Sequence, residues 1–270
     1  MNSVVVAKFG GSVIGVDGIS IPIIIQRINS LSKDAKVVAV FSAPLTVVEG
    51  KRRSLTDVAL ELGKRAEEGK AFDLIILRKT YEKILELVNS EFQEECRTTI
   101  DDCLDMVRIE LEKAMEKKEF ADEVRSKTLA YSGEILMSYV MEYILQSQGI
   151  KSKVVGLDNW PIITDSNIES TNFLASESNK KVEFLERLLD ENQVITIGGF
   201  IGRTVDGVIT TYERGGSDRT AADLGILLHK KFDVKINLEK DSSVVSADPR
   251  IVKDGLTEVH SISYNEARLA

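Results

Sequence analysis

The sequence predicts a layered α/β fold built on a parallel sheet that is covered on both faces. Strand-like and helix-like segments alternate along the chain, which is the pattern of such layered folds. The first two strand candidates, SVVVAKF and KVVAVF, are near-continuous apolar runs, as strands buried on both faces are. At 270 residues, with no Pro/Gly/Ser-rich linker and no internal repeat, one domain with a helical insertion is the economical organisation.

In chain order, Ser3–Phe9 is the first strand and ends in Gly10-Gly11. Residues 19–31 follow with helical spacing, Pro22 falling near the start, where its missing N–H costs little. Lys36–Phe41 is the second strand and closes at Ser42-Ala43-Pro44. From about Leu55 to Phe120 the pattern is helical and charge-rich, with Leu74, Leu77, Tyr81, Ile84, Leu85 and Val88 on one stripe. Within it, a helical hairpin is expected to form a lid or a dimer surface, its charges making a solvated face. After a helix ending near Gln148, strands are expected at 153–156, 194–198, 207–211 and 234–237, with helices at 181–189 and 218–229 between them.

Composition excludes several function classes. A formal charge of -8 leaves no basic face for nucleic acid. No apolar run approaches the roughly 20 residues of a membrane span, and the first residues lack a basic n-region and a cleavage site, so a cytoplasmic location is expected. Cys96 and Cys103 lack CxxC spacing and read as plain packing or surface residues. His229 and His260 have no partner pattern, so no protein metal site and no Ser/His/Asp arrangement is expected.

Three stretches carry chemistry. Lys8-Phe9-Gly10-Gly11-Ser12 places open backbone N–H groups and a lysine at the carboxyl end of a strand, where α/β sheets bind ligands; a plain turn is the alternative. The standard nucleotide loops are absent, since Gly63 and Gly69 are one residue too far apart for GxxxxGK[ST] and no GxGxxG follows the first strand. TTYERGGSDRTAAD sets Arg214, Gly215, Gly216 and Ser217 before a helix whose free N–H groups and dipole favour an anion. Asp218 caps that helix or serves the site, and Arg214 offers a fork for a carboxylate or phosphate. In YSGEILMS, Gly133 interrupts a helical pattern just before Glu134, which either complements a helix dipole or accepts an ammonium group.

KFGGS, SGEILMS, GGFIG, TTYERGGSD and ADPRIV, in this order and at these distances, resemble the aspartate kinases of the amino-acid kinase superfamily, nearly end to end. The resemblance implies a three-layer αβα sandwich with a mainly parallel central sheet. It also implies transfer of the ATP γ-phosphoryl group, with Mg2+, to the β-carboxylate of L-aspartate, the first step toward lysine, threonine and methionine. Lys8 and the Gly10-Gly11 amides would then stabilise the phosphoryl group, and Asp218 would orient Lys8. Arg214 would clamp the α-carboxylate and Glu134 would accept the amine. Ser217, with Gly215 and Gly216, would complete an acceptor pocket also lined by Ser42 and by Phe200 of GGFIG. Ser12, Glu239, Lys240 and Arg250 would lie on the nucleotide side. The family's pocket threonine is Thr46 or Thr56, with Thr56 preferred because Thr-Asp precedes an amphipathic helix; VVEGKRRSL is then an insertion. A homodimer is the implied assembly.

The departures are local. Val13 replaces a hydroxyl residue, and Glu213 stands where the family has glycine beside the phosphate path, harmless only if it turns outward. The nucleotide segment is rebuilt as LEKDSSVVSADPR, with Val245 at the aromatic position. The chain stops short of a GAKVLHP-like segment and of ACT domains, so feedback control through such domains is not expected. A weakened kinase-like binding domain, or an amino-acid kinase with another acceptor, remains the alternative to an active aspartate kinase.

Overall fold

The computed structural model describes residues 3–213 and 215–241. The chain divides into two units, Met1–Glu239 and Lys240–Ala270, and every element below belongs to the first. In order these are β1 (Ser3–Phe9), α1 (Gly11–Ile14), α2 (Ile21–Leu31), β2 (Lys36–Phe41), β3 (Leu45–Val48), β4 (Lys51–Ser54), α3 (Leu55–Glu67), α4 (Ile75–Leu85), α5 (Ser90–Lys117), α6 (Asp122–Ser132) and α7 (Glu134–Ser147). There follow β5 (Ser152–Val154), β6 (Ile163–Thr164), α8 (Ala175–Asn179), α9 (Val182–Glu191), β7 (Val194–Gly198), β8 (Ile201–Thr204), β9 (Ile209–Thr211), α10 (Gly216–Leu228) and β10 (Asp233–Glu239).

Among the described residues the central sheet has the order β10-β1-β2-β7-β5, each neighbouring pair parallel. Alternation along β1 and β2 feeds two cores. Val5, Ala7, Phe9, Val37, Ala39 and Phe41 pack with residues of α2 to α7 on one face, whereas Val4, Val6, Val38 and Val40 pack with α9 and α10 on the other. This is the expected αβα sandwich. The same alternation puts Lys8 after Val4 and Val6, and Ser42 after Val38 and Val40, on the α10 side.

One expectation needs correction, and a second segment takes a definite form. The helical hairpin is not a lid: Leu77, Tyr81 and Ile84 of α4 and Cys96, Ile100, Leu104, Val107 and Leu111 of α5 belong to the first core. Burying that stripe leaves mainly polar faces to solvent, with Ile75 and Ile109 exposed among them. VVEGKRRSL is an antiparallel hairpin, β3 with β4, turned at Glu49-Gly50, both with positive φ (50° and 75°). A second small sheet, β6-β8-β9, also forms, and its first strand has only two residues.

Candidate active site

Parallel pairing brings the carboxyl ends of β1, β2, β7 and β10 to one edge of the sheet, and α10 starts beside them. A cleft of about 700 Å³ opens there, lined by Lys8, Ser42, Thr56, Glu134, Phe200, Gly215, Gly216 and Ser217, all expected from the sequence.

Lys8 is only 8% exposed. Its Nζ stands 2.7 Å from Asp218 Oδ1, so the first-turn carboxylate of α10 fixes the lysine. Ser42 Oγ donates to Ser217 Oγ at 2.9 Å, tying the end of β2 to the start of α10. Helix and sheet approach this closely because residue 199 is glycine: a Cβ there would fall 2.6 Å from Ser217 Oγ. The next residue, Phe200, takes φ 67°, a region costly for an aromatic side chain. It is held by its N–H donating to Thr220 Oγ1 (3.0 Å), whose hydroxyl donates to the Gly216 carbonyl (3.0 Å), and by its carbonyl accepting from Tyr212 N–H (2.9 Å).

Glu134 opens α7 and is 4% exposed. Burial pushes its carboxyl up to about 7, against the backbone N–H groups of Glu134 and Ala43 that favour the anion. Its Oε2 is buried and has no hydrogen-bond partner among the described residues. Behind it, the buried Tyr81 hydroxyl donates to the carbonyls of Ser132 (3.2 Å) and Gly133 (3.0 Å). Gly133 is required by close approach as well, since a Cβ would meet that of Ala43 at 2.8 Å. The result is a buried carboxyl with one oxygen unpartnered among the described residues, in the same cleft as Lys8 and the N-terminus of α10.

Of the two threonines, Thr56 lines the cleft, whereas buried Thr46 donates to Asp17 Oδ1 (3.3 Å) and accepts from Thr80 Oγ1 (3.0 Å) elsewhere. Gly10, Gly11 and Ser12 open α1 beside Lys8 but do not line the cleft. Glu239 lies next to Phe9 in register, and its carboxylate accepts from Arg27 Nε at 2.8 Å. Lys240 belongs to the second unit. Arg214 and Arg250 lie outside the described residues. Glu213 is exposed and accepts from Ser170 Oγ at 2.7 Å.

Asp57, Leu60, Arg125, Leu129 and Glu169 also line the cleft, and sequence reasoning missed them. Arg125 and Leu129 share a face of α6 at i, i+4 spacing, a signal that was available. Glu169, in the loop after β6, pairs with Arg125, and no local pattern announces that contact. Among the described residues no group of three or more His, Cys, Asp and Glu is placed to hold a metal, and no helix is long and apolar enough to cross a membrane.

A parallel α/β domain with a lysine, a helix N-terminus and a buried carboxylate at its carboxyl edge is one that handles an anion beside a cation. The chain belongs to the amino acid kinase family, whose pattern matches residues 3–269. It is 34% identical over 122 residues to an aspartokinase of Rickettsia felis, 45% of this chain and 29% of that protein. With aspartokinase 1 of Bacillus subtilis it shares 30% over 145 residues, 51% of this chain and 34% of that one. Thus the chain spans about a third or less of these curated relatives. Escherichia coli aspartokinase III, solved in complex with aspartate and ADP, superposes with a TM-score of 0.74 at 21% identity, over 98% of this chain and 55% of that one, a likeness of fold.

Proposed function

We propose that the chain transfers the γ-phosphoryl group of ATP to the β-carboxylate of L-aspartate, giving 4-phospho-L-aspartate. The observation that carries this reading is the unpartnered, buried Glu134 Oε2 in the same cleft as the Lys8–Asp218 pair. A buried carboxylate without a partner is costly, and an α-ammonium group supplies both the charge and the donors it lacks. Similarity to aspartokinases favours aspartate as the amino acid that brings it.

The acceptor carboxylate is ionised at neutral pH, so no general base is required. One of its oxygens attacks the γ-phosphorus, the bond to the β,γ-bridging oxygen breaks, and that electron pair leaves with ADP. Catalysis then reduces to placement and charge stabilisation. Lys8 faces the negative charge on the transferring group, and Asp218 positions Lys8. The α10 N-terminus, Gly215, Gly216 and Ser217 receive anionic oxygens. Arg214 takes the α-carboxylate, and Ser42, Thr56 and Phe200 shape the pocket wall. Gly10, Gly11, Ser12 and Glu239 lie toward the nucleotide side.

A magnesium ion would arrive with the nucleotide and would be held mainly by its phosphate groups. When bound, it neutralises phosphate charge. The reading places the chain in the cytoplasm as a homodimer, with no nucleic-acid or membrane partner; light scattering tests the dimer. The activity is tested by trapping the acyl phosphate as a hydroxamate from L-aspartate and Mg·ATP. Absence of product with L-aspartate, under conditions where the chain remains folded, refutes it.

A further inference from the structure

The loop between β6 and α8 is braced more firmly than its exposure suggests. The Asp165 carboxylate accepts from the backbone N–H groups of Asn167 (3.2 Å) and Asn172 (3.0 Å), from Thr171 Oγ1 (3.1 Å), and from the side-chain amides of Asn167 (2.9 Å) and Asn172 (2.8 Å). The loop is also laced to β9: Thr171 N–H donates to the Thr211 carbonyl (3.2 Å), and Thr211 N–H to that of Ile168 (2.7 Å). Glu169 accepts from Asp122 N–H at 2.9 Å and pairs with Arg125, anchoring the loop to α6. Between these anchors, Ser170 Oγ donates to Glu213 Oε1 at 2.7 Å.

Glu213 shares the cleft lining with Lys8 and Ser217, and it sits just ahead of the N-terminus of α10. A carboxylate on a free side chain there is an internal competitor. It is drawn to the same lysine and helix end as an anionic ligand, and it also repels that ligand.

We propose that Ser170 is a positioning residue: it holds the Glu213 carboxylate against the 165–172 loop and so keeps the anion-binding side of the cleft open to the ligand's own phosphate and carboxylate groups. The identity of those ligands rests on the phosphoryl-transfer reading, whereas the steering of Glu213 does not.

The test uses the full chain and its Ser170→Ala, Glu213→Gly and doubly substituted forms, titrated calorimetrically with Mg·ADP and with L-aspartate at low and high salt. Ser170 is exposed, so matched melting temperatures are expected. Losing a hydrogen bond of about 1 kcal/mol predicts roughly a three- to tenfold weaker Kd for Mg·ADP at low salt in Ser170→Ala, shrinking as salt screens the charge. In the Glu213→Gly background, Ser170→Ala is expected to change nothing. Unaltered binding in Ser170→Ala, an equal loss in the Glu213→Gly background, or a parent chain that does not bind Mg·ADP overturns the proposal. The predicted pattern with Mg·ADP but no binding of L-aspartate leaves the proposal standing and sinks the aspartate reading instead.

Discussion

Replacing Glu134 by glutamine keeps the side chain's shape and removes a titration. The carboxyl has an ordinary value of 4.5 and a value of about 7 in the folded chain, raised by burial. Between those limits the folded state keeps a proton that the unfolded state has lost. Stability therefore falls as pH rises across this window, the opposite of a paired surface carboxylate. The full gap is worth about 3 kcal/mol, and most of it falls between pH 5 and pH 8. For a unit of this size that is roughly 5 °C in melting temperature. Thermal unfolding followed by circular dichroism at the two pH values checks it: the offset between Glu134→Gln and the parent should move by that amount in the variant's favour at pH 8. L-aspartate should raise the melting temperature of the parent and leave the variant unmoved. In the parent, acceptor affinity should weaken about tenfold per pH unit below the Glu134 value, because an ammonium group needs the ionised partner. An offset that is the same at both pH values would falsify the assignment of Glu134 as a buried, unpartnered acid.

Four further outcomes follow from the geometry. Asp218→Ala frees Lys8 from its 2.7 Å partner and should lower kcat by about 100-fold or more as well as the melting temperature, because buried Lys8 loses its counter-charge; wild-type turnover in hydroxamate assays contradicts the positioning role. Thr56→Val should raise the KM for L-aspartate several-fold, whereas Thr46→Val, which cuts bonds to Asp17 and Thr80, should cost about 1–2 kcal/mol of stability and leave KM alone; the reverse pattern would restore Thr46 to the pocket. Gly133→Ala drives a methyl to 2.8 Å from Ala43, and should lower both the melting temperature and aspartate affinity. Burial pushes the Cys96 and Cys103 thiols up to about 12, so iodoacetamide at pH 8 should label them only after denaturation, as mass spectrometry will read out.

Much of this site was legible because it depends on short-range rules. Period-two alternation along Val4, Val6 and Lys8 is enough to point the lysine at one face of the sheet. Glycines and a first-turn aspartate ahead of an apolar helix mark the start of α10. Long-range packing was not legible. The stripe on α4 announced an apolar face, and only the three-dimensional arrangement says that this face meets the sheet core. Two-residue β6 carries no periodicity at all. Arg125 meets Glu169 across 44 residues, a partnership decided by how the β6–α8 loop lies along β9.

Tyr81 ties the helical segment to the proposed chemistry. Its hydroxyl, on α4, closes the last carbonyls before Glu134, so α4 forms the rear wall of the proposed ammonium seat. A shortened protein that drops α4 and α5 would lose that wall along with the bulk. The smallest working version of this domain therefore retains them, and a neutral-looking change on α4 can reach the acceptor without touching it.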